Sequence, residues 1–144
     1  MIKHEIPMTR WYWKQVGGTF VEEFIAVHRG ADRGKRVLDA IILPSEECLI
    51  AKQNEVSIEG KDVVVVQTKA KRLGMALLGQ ALFSAQLIQS FRPRSVLSIA
   101  LCTKDDAVLR PLFEKYPGMQ VVVCPSEVTP PRKRSPNLKK HYNL

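Results

Sequence analysis

Four β-branched residues in a row, Val63-Val64-Val65-Val66, run into Gln67-Thr68-Lys69-Ala70, and no other segment limits the fold as tightly. Bounded by Gly60 and followed by a helix-like stretch, the run reads as a central strand covered on both faces. Side chains two apart in a strand share a face, so Gln67 and Lys69 project together with Val65 behind them. An ammonium beside a core strand is costly unless it is paired or open to solvent. The pair is therefore either a rim feature or a site.

A covered strand needs layers on both sides, and 144 residues at 45% hydrophobic and 25% charged content supply one domain of that kind and not two. We expect a single α/β domain over residues 1–125 and a basic, flexible tail over 126–144, where Pro, Ser, Lys and Arg dominate. The formal net charge is +8. From Ser126 onward five Lys or Arg and one Glu leave +4, so the body also carries +4. Such a balance allows a polyanion partner without requiring one. The most apolar piece, Leu73 to Ile88, is interrupted by Gly74, Gly79, Gln80, Ser84 and Gln86, which suits a buried helix and not a membrane span. With no apolar leader after Met1, the expected location is cytoplasmic. Cys48, Cys102 and Cys124 have no metal-like spacing and read as free thiols.

Along the chain, a short helix over Thr9–Gln15 stops at Gly17-Gly18, and Thr19–Val27 reads as a strand. A turn over His28–Lys35 leads to a second strand, Arg36–Leu43, stopped by Pro44. The polar stretch Ser45–Lys61 holds a short strand around Glu55–Ile58, ahead of the valine strand. A long helix over Leu73–Phe91, a buried strand over Ser95–Cys102, a helix reaching Tyr116 and a last strand over Gln120–Cys124 complete the order. This gives a mixed central sheet flanked by helices.

Asp39 stands mid-strand among aliphatic residues. A carboxylate there is either desolvated at a cost or turned to a cleft that holds a cation. If its strand pairs with the valine strand, Asp39 lies beside Gln67 and Lys69. Asp39, the Gln67 amide oxygen and either Glu22 or Glu23 would then be the hard oxygen ligands that Mg²⁺ (or Mn²⁺) takes. Alternation does not choose between the two glutamates: Phe20 and Phe24 share a face with Glu22, Val21 and Ile25 with Glu23. Lys69 would hold the attacking water and offset charge on a phosphate. Gln80 and Ser84, four apart on the apolar helix, would turn to Lys69 together. Trp11 and Trp13 read as core residues, and Asp105-Asp106 as a helix cap. Lys71, Arg72, Arg132, Lys133 and Arg134 are the candidate phosphate contacts.

Asp39 on the second strand and Gln67-X-Lys69 on the third, within the order helix, three strands, helix, strand from about Thr9 to Cys102, resemble the restriction-endonuclease-like, or PD-(D/E)XK, nuclease superfamily. The likeness covers about two thirds of the chain, the core αβββαβ being followed here by an added αβ unit. Gln67 stands where that superfamily has Glu or Asp, as in the Gln-X-Lys branch similar to methylation-dependent restriction enzymes, and Leu38 precedes Asp39 where Pro is usual. The resemblance implies a metal-dependent endonuclease acting on DNA, with Asp39, Gln67, Lys69 and a polar residue of the second helix, Gln80, at its centre. A nuclease of this size with no separate recognition domain either dimerises or works with another subunit, and a homodimer is expected. A module of the same fold that binds nucleic acid or a protein without cutting is the alternative. A Rossmann-like domain is disfavoured, because Lys71-Arg72-Leu73-Gly74 is a poor phosphate loop.

Overall fold

The computed structural model describes residues 5–128. Three helices, α1 (Ile6–Val16), α2 (Met75–Leu87) and α3 (Leu109–Glu114), and six strands, β1 (Thr19–Val27), β2 (Arg36–Leu43), β3 (Leu49–Ile50), β4 (Asp62–Thr68), β5 (Ser95–Cys102) and β6 (Met119–Val123), account for its regular structure. The strands form one mixed sheet in the order β3-β1-β2-β4-β5-β6. β1, β2 and β4 pair antiparallel, whereas β4, β5 and β6 run parallel.

The valine strand lies inside this sheet with both faces covered. Val64 and Val66 point to the α1 side, among Met8, Tyr12, Phe20, Ile42 and Leu101. Val63 and Val65 point the other way, among Val21, Ile41, Leu43 and Ile88. Each such valine contributes about 1.5–3 kcal/mol by leaving water, which accounts for the unbroken aliphatic run between Asp62 and Gln67 of the strand. α2 is built of strong helix formers and follows Gly74. It buries Leu77, Ala81, Ser84 and Ala85 against the sheet, then tightens into a 3₁₀ turn over Ile88–Phe91. Arg92, at φ 57, turns the chain out of it, and Pro93 bars continuation. Gly18 opens β1 at φ 82, where a Cβ would run into the Leu43 carbonyl; no other residue fits there.

The bounds expected for β1, β2 and β5 match those observed. α1 begins three residues earlier than expected, with Pro7 in its first turn, a position where the missing N–H costs nothing. The strand expected around Glu55–Ile58 is absent. Gln53–Glu55 is a 3₁₀ turn, and the extension of the sheet is the two-residue β3, parallel to β1. Ile58 plugs the α2-side core from a loop, so its apolar character reflects burial and not strand pairing. α3 is shorter than expected. Asp106 Oδ1 accepts the amides of Val108 and Leu109 at 2.9 Å, confirming the capping role read for the Asp pair. No helix among the described residues is long and apolar enough to cross a membrane.

Candidate functional site

The pairing between β2 and β4 covers only three residue pairs, ending at Ala40 opposite Val66. Beyond that point backbone amides are satisfied by side chains. Thr68 N–H donates to Asp39 Oδ2 at 2.9 Å, and Asp39 N–H donates to Gln67 Oε1 over a long 3.4 Å. The β1–β2 ladder skips the same level: Glu22 is in register with Ala40 and Phe24 with Leu38, and the register does not run through Glu23 and Asp39. Glu23 has a left-handed backbone, φ 53, a conformation that L residues adopt rarely. The pleat flips there. Phe20 lies in the α1-side core and Phe24 in the α2-side core, which overturns the expectation that these two share a face.

The interruption opens a cavity of about 700 Å³, lined among others by Glu5, Asp39, Gln67, Lys69, Gln80 and Ser84. Asp39, Gln67 and Lys69 thus meet as the spacing implies. Gln67 is buried, and its Nε2 donates to Ser84 Oγ on α2 at 2.7 Å. Lys69 is half-buried, its own amide bonded to the Leu101 carbonyl at 3.0 Å. Gln80 reaches the cavity from the exposed side of α2, while Ser84, one turn on, makes the contact to Gln67. Burial pushes the Asp39 carboxyl above the ordinary carboxylate value; the Thr68 amide opposes this, the charge of Glu5 adds to it and that of Lys69 opposes it.

Glu5 is the acid that sequence reasoning missed. It precedes α1, is only 3% exposed, and accepts the Ala70 amide on Oε2 at 3.0 Å. A signal was available: Glu5, Met8, Thr9 and Tyr12 fall on one helical stripe, and the last three are all buried. Thr68 donates to the Met8 sulfur, which brings that end of α1 to the end of β4. An acid on the buried stripe of a helix asks for a reason.

Glu22 and Glu23, expected as metal ligands, do not line the cavity. Glu22 shares the α1 side of the sheet with its partner Ala40, and its Oε1 takes Arg10 Nη2 at 2.6 Å and Nε at 3.0 Å. Glu23 is exposed at the left-handed position. Among the described residues no three His, Cys, Asp or Glu side chains cluster in a way that holds a metal ion. Lys71 and Arg72 are exposed past the end of β4 and outside the cavity; Arg72 Nη1 donates to the Asp105 carbonyl at 2.6 Å. Arg132, Lys133 and Arg134 lie outside the described residues. Trp13 stacks on Phe20 with centroids 5.1 Å apart and donates its indole N–H to the Gly18 carbonyl, a core role as read. Cys48, Cys102 and Cys124 are free.

Comparison with protein-family models, with curated proteins and with solved structures gives no match to this chain. What is established is a mixed six-stranded α/β protein with a polar cavity where its two central antiparallel strands part.

Proposed function

We propose that this protein is a metal-dependent deoxyribonuclease of the restriction-endonuclease-like kind, hydrolysing phosphodiester bonds at the β2–β4 opening. The observation that carries the reading is the meeting of Asp39, Glu5, Gln67 and Lys69 on one cavity. The mixed α/β fold is compatible with it at the level of class only: β2, the end of β4, α2 and Glu5 ahead of α1 line that cavity, with the small β3 at the far edge of the sheet.

The donors suit a hard divalent cation. Asp39 and Glu5 offer carboxylate oxygens within mutual electrostatic reach, and a cation between two such groups relieves both the burial of Asp39 and the repulsion. Bound Mg²⁺ or Mn²⁺ would polarise a phosphate oxygen and acidify a water. The chain's own residues do the rest. Thr68 N–H fixes the rotation of the Asp39 carboxylate, and Gln67, held at both ends, ties the Asp39 backbone to α2. Lys69 brings a positive charge to a half-buried place where it offsets charge developing on the phosphate.

Purified protein should nick or cut plasmid, linear or branched DNA in Mg²⁺ or Mn²⁺. Asp39→Ala and Lys69→Ala should each lower the rate by roughly a hundredfold or more, the scale of losing one pre-organised electrostatic contact. Unchanged rates in both variants would sink the assignment.

A second reading, a nucleic-acid-binding module that does not cut, is favoured by Gln67 itself. Both ends of its amide are already hydrogen-bonded, to Asp39 and to Ser84, so it serves the fold whether or not a cation is held. Calorimetric titration with Mn²⁺ separates the two: heat and a raised melting temperature support the nuclease, neither supports the module.

A further inference from the structure

The same cavity carries a second set of residues that the hydrolytic reading does not use. Gly79, Gln80, Phe83, Ser84 and Leu87 line it as one stripe of α2, and within that stripe Phe83 is 68% exposed. A ring of this size left in water forgoes most of the stabilisation its burial would bring. The same cavity is also lined by Lys35 and Arg36, both exposed, at the end of the β1–β2 hairpin. That hairpin segment, His28 to Arg36, holds Arg29, Arg33, Lys35 and Arg36 against Asp32 alone, and Arg33 is the one Asp32 engages, at 2.8 Å. Two cations without a carboxylate of their own segment thus line the same cavity of about 700 Å³ as an exposed aromatic ring, alongside Asp39 and Glu5, space on the scale of a small-molecule site.

We infer that this strip binds single-stranded DNA, with Phe83 stacked on an unpaired base and Lys35 and Arg36 on the neighbouring phosphates. The inference rests on the nuclease reading and narrows its substrate to DNA with unpaired bases at the cut. The physical reason is access. In a duplex each base face is covered by its neighbours, whereas an unpaired base offers its face to an aromatic ring. Backbone charge held by Lys and Arg steers the strand and makes binding weaken with salt.

The test is direct binding, read by anisotropy of a short labelled DNA strand with Ca²⁺ or EDTA in place of Mg²⁺, beside the blunt duplex and the RNA of the same sequence. The single DNA strand should bind at least tenfold more tightly than the duplex. Phe83→Ala should weaken it by roughly tenfold to a hundredfold, the range for one stacked base; because the ring is exposed, circular dichroism should be unchanged. Phe83→Trp should restore binding and show emission quenched by the strand. Lys35→Ala with Arg36→Ala should reduce the salt dependence by about two phosphate contacts. Wild-type binding in Phe83→Ala, equal affinity for duplex and single strand, or binding of RNA alone would each overturn the inference. Cutting in Mg²⁺ without Phe83-dependent binding defeats it and leaves the nuclease reading standing, while Phe83-dependent binding without cutting does the reverse.

Discussion

β2 and β4 are paired in two different ways along one length. From Ala40 to Ile42 they exchange backbone bonds with Val64 to Val66, and the side chains on both faces are aliphatic and buried. One residue further, backbone bonds give way to side-chain bonds: a carboxylate caps the Thr68 amide and a primary amide caps the Asp39 amide. The difference teaches how a core sheet acquires polar chemistry without orphaned groups. Asp39 and Gln67 each replace a ladder bond at the opening, and no buried side-chain nitrogen or oxygen among the described residues lacks a partner. The aliphatic end therefore holds the fold, and the polar end is held by it.

The largest stability effect should fall on the aliphatic end. Ile41 is fully buried, opposite both Val21 and Val65, so Ile41→Ala should cost about 2–5 kcal/mol in chemical denaturation. A loss below 1 kcal/mol would mean that the ladder is not the supporting element. At the polar end, Ser84→Ala removes the acceptor of the buried Gln67 Nε2 and should cost about 1–3 kcal/mol. Because Gln67 also holds the Asp39 backbone, this variant should lose activity in a folded state, which Ile41→Ala should not.

Asp39 should give the smallest stability effect and the most telling sign. Its carboxyl is raised in the folded chain, first by burial. The native chain therefore keeps a proton that the unfolded chain has released, and stability falls as pH rises from the ordinary value of 3.8 through the folded one. Asp39→Asn keeps an acceptor for Thr68 N–H and removes the titration. It should melt higher than wild type at pH 7, with the gap closing below the ordinary value. A lower melting temperature at pH 7 would make Asp39 a structural acid only.

Much of this was legible in the residues. β1, β2 and β5 could be bounded because β-branched runs end at Gly or Pro or give way to short polar residues, and Asp39, Gln67 and Lys69 announced themselves as polar groups in aliphatic strands. The two-residue β3 is too short to carry a period. The flip at Glu23 was hidden because alternation assumes an extended backbone, and one left-handed residue moves Phe24 to the other face. That flip leaves Glu23 exposed, while Glu22, ahead of it, stays on the α1 side and bonds Arg10. Glu5 was missed for a different reason: its helix starts earlier than the Thr9 cap suggested, so its place on the buried stripe went unread.

Whether the parted end of β2 and β4 takes a cation or is only a capped strand end is decided by titrating Mn²⁺ into wild type and Asp39→Asn, with heat and melting temperature read together. Binding and a raised melting temperature in wild type, both lost in the folded Asp39→Asn, are the expected result. Equal binding in the two proteins, or none in either, would contradict it.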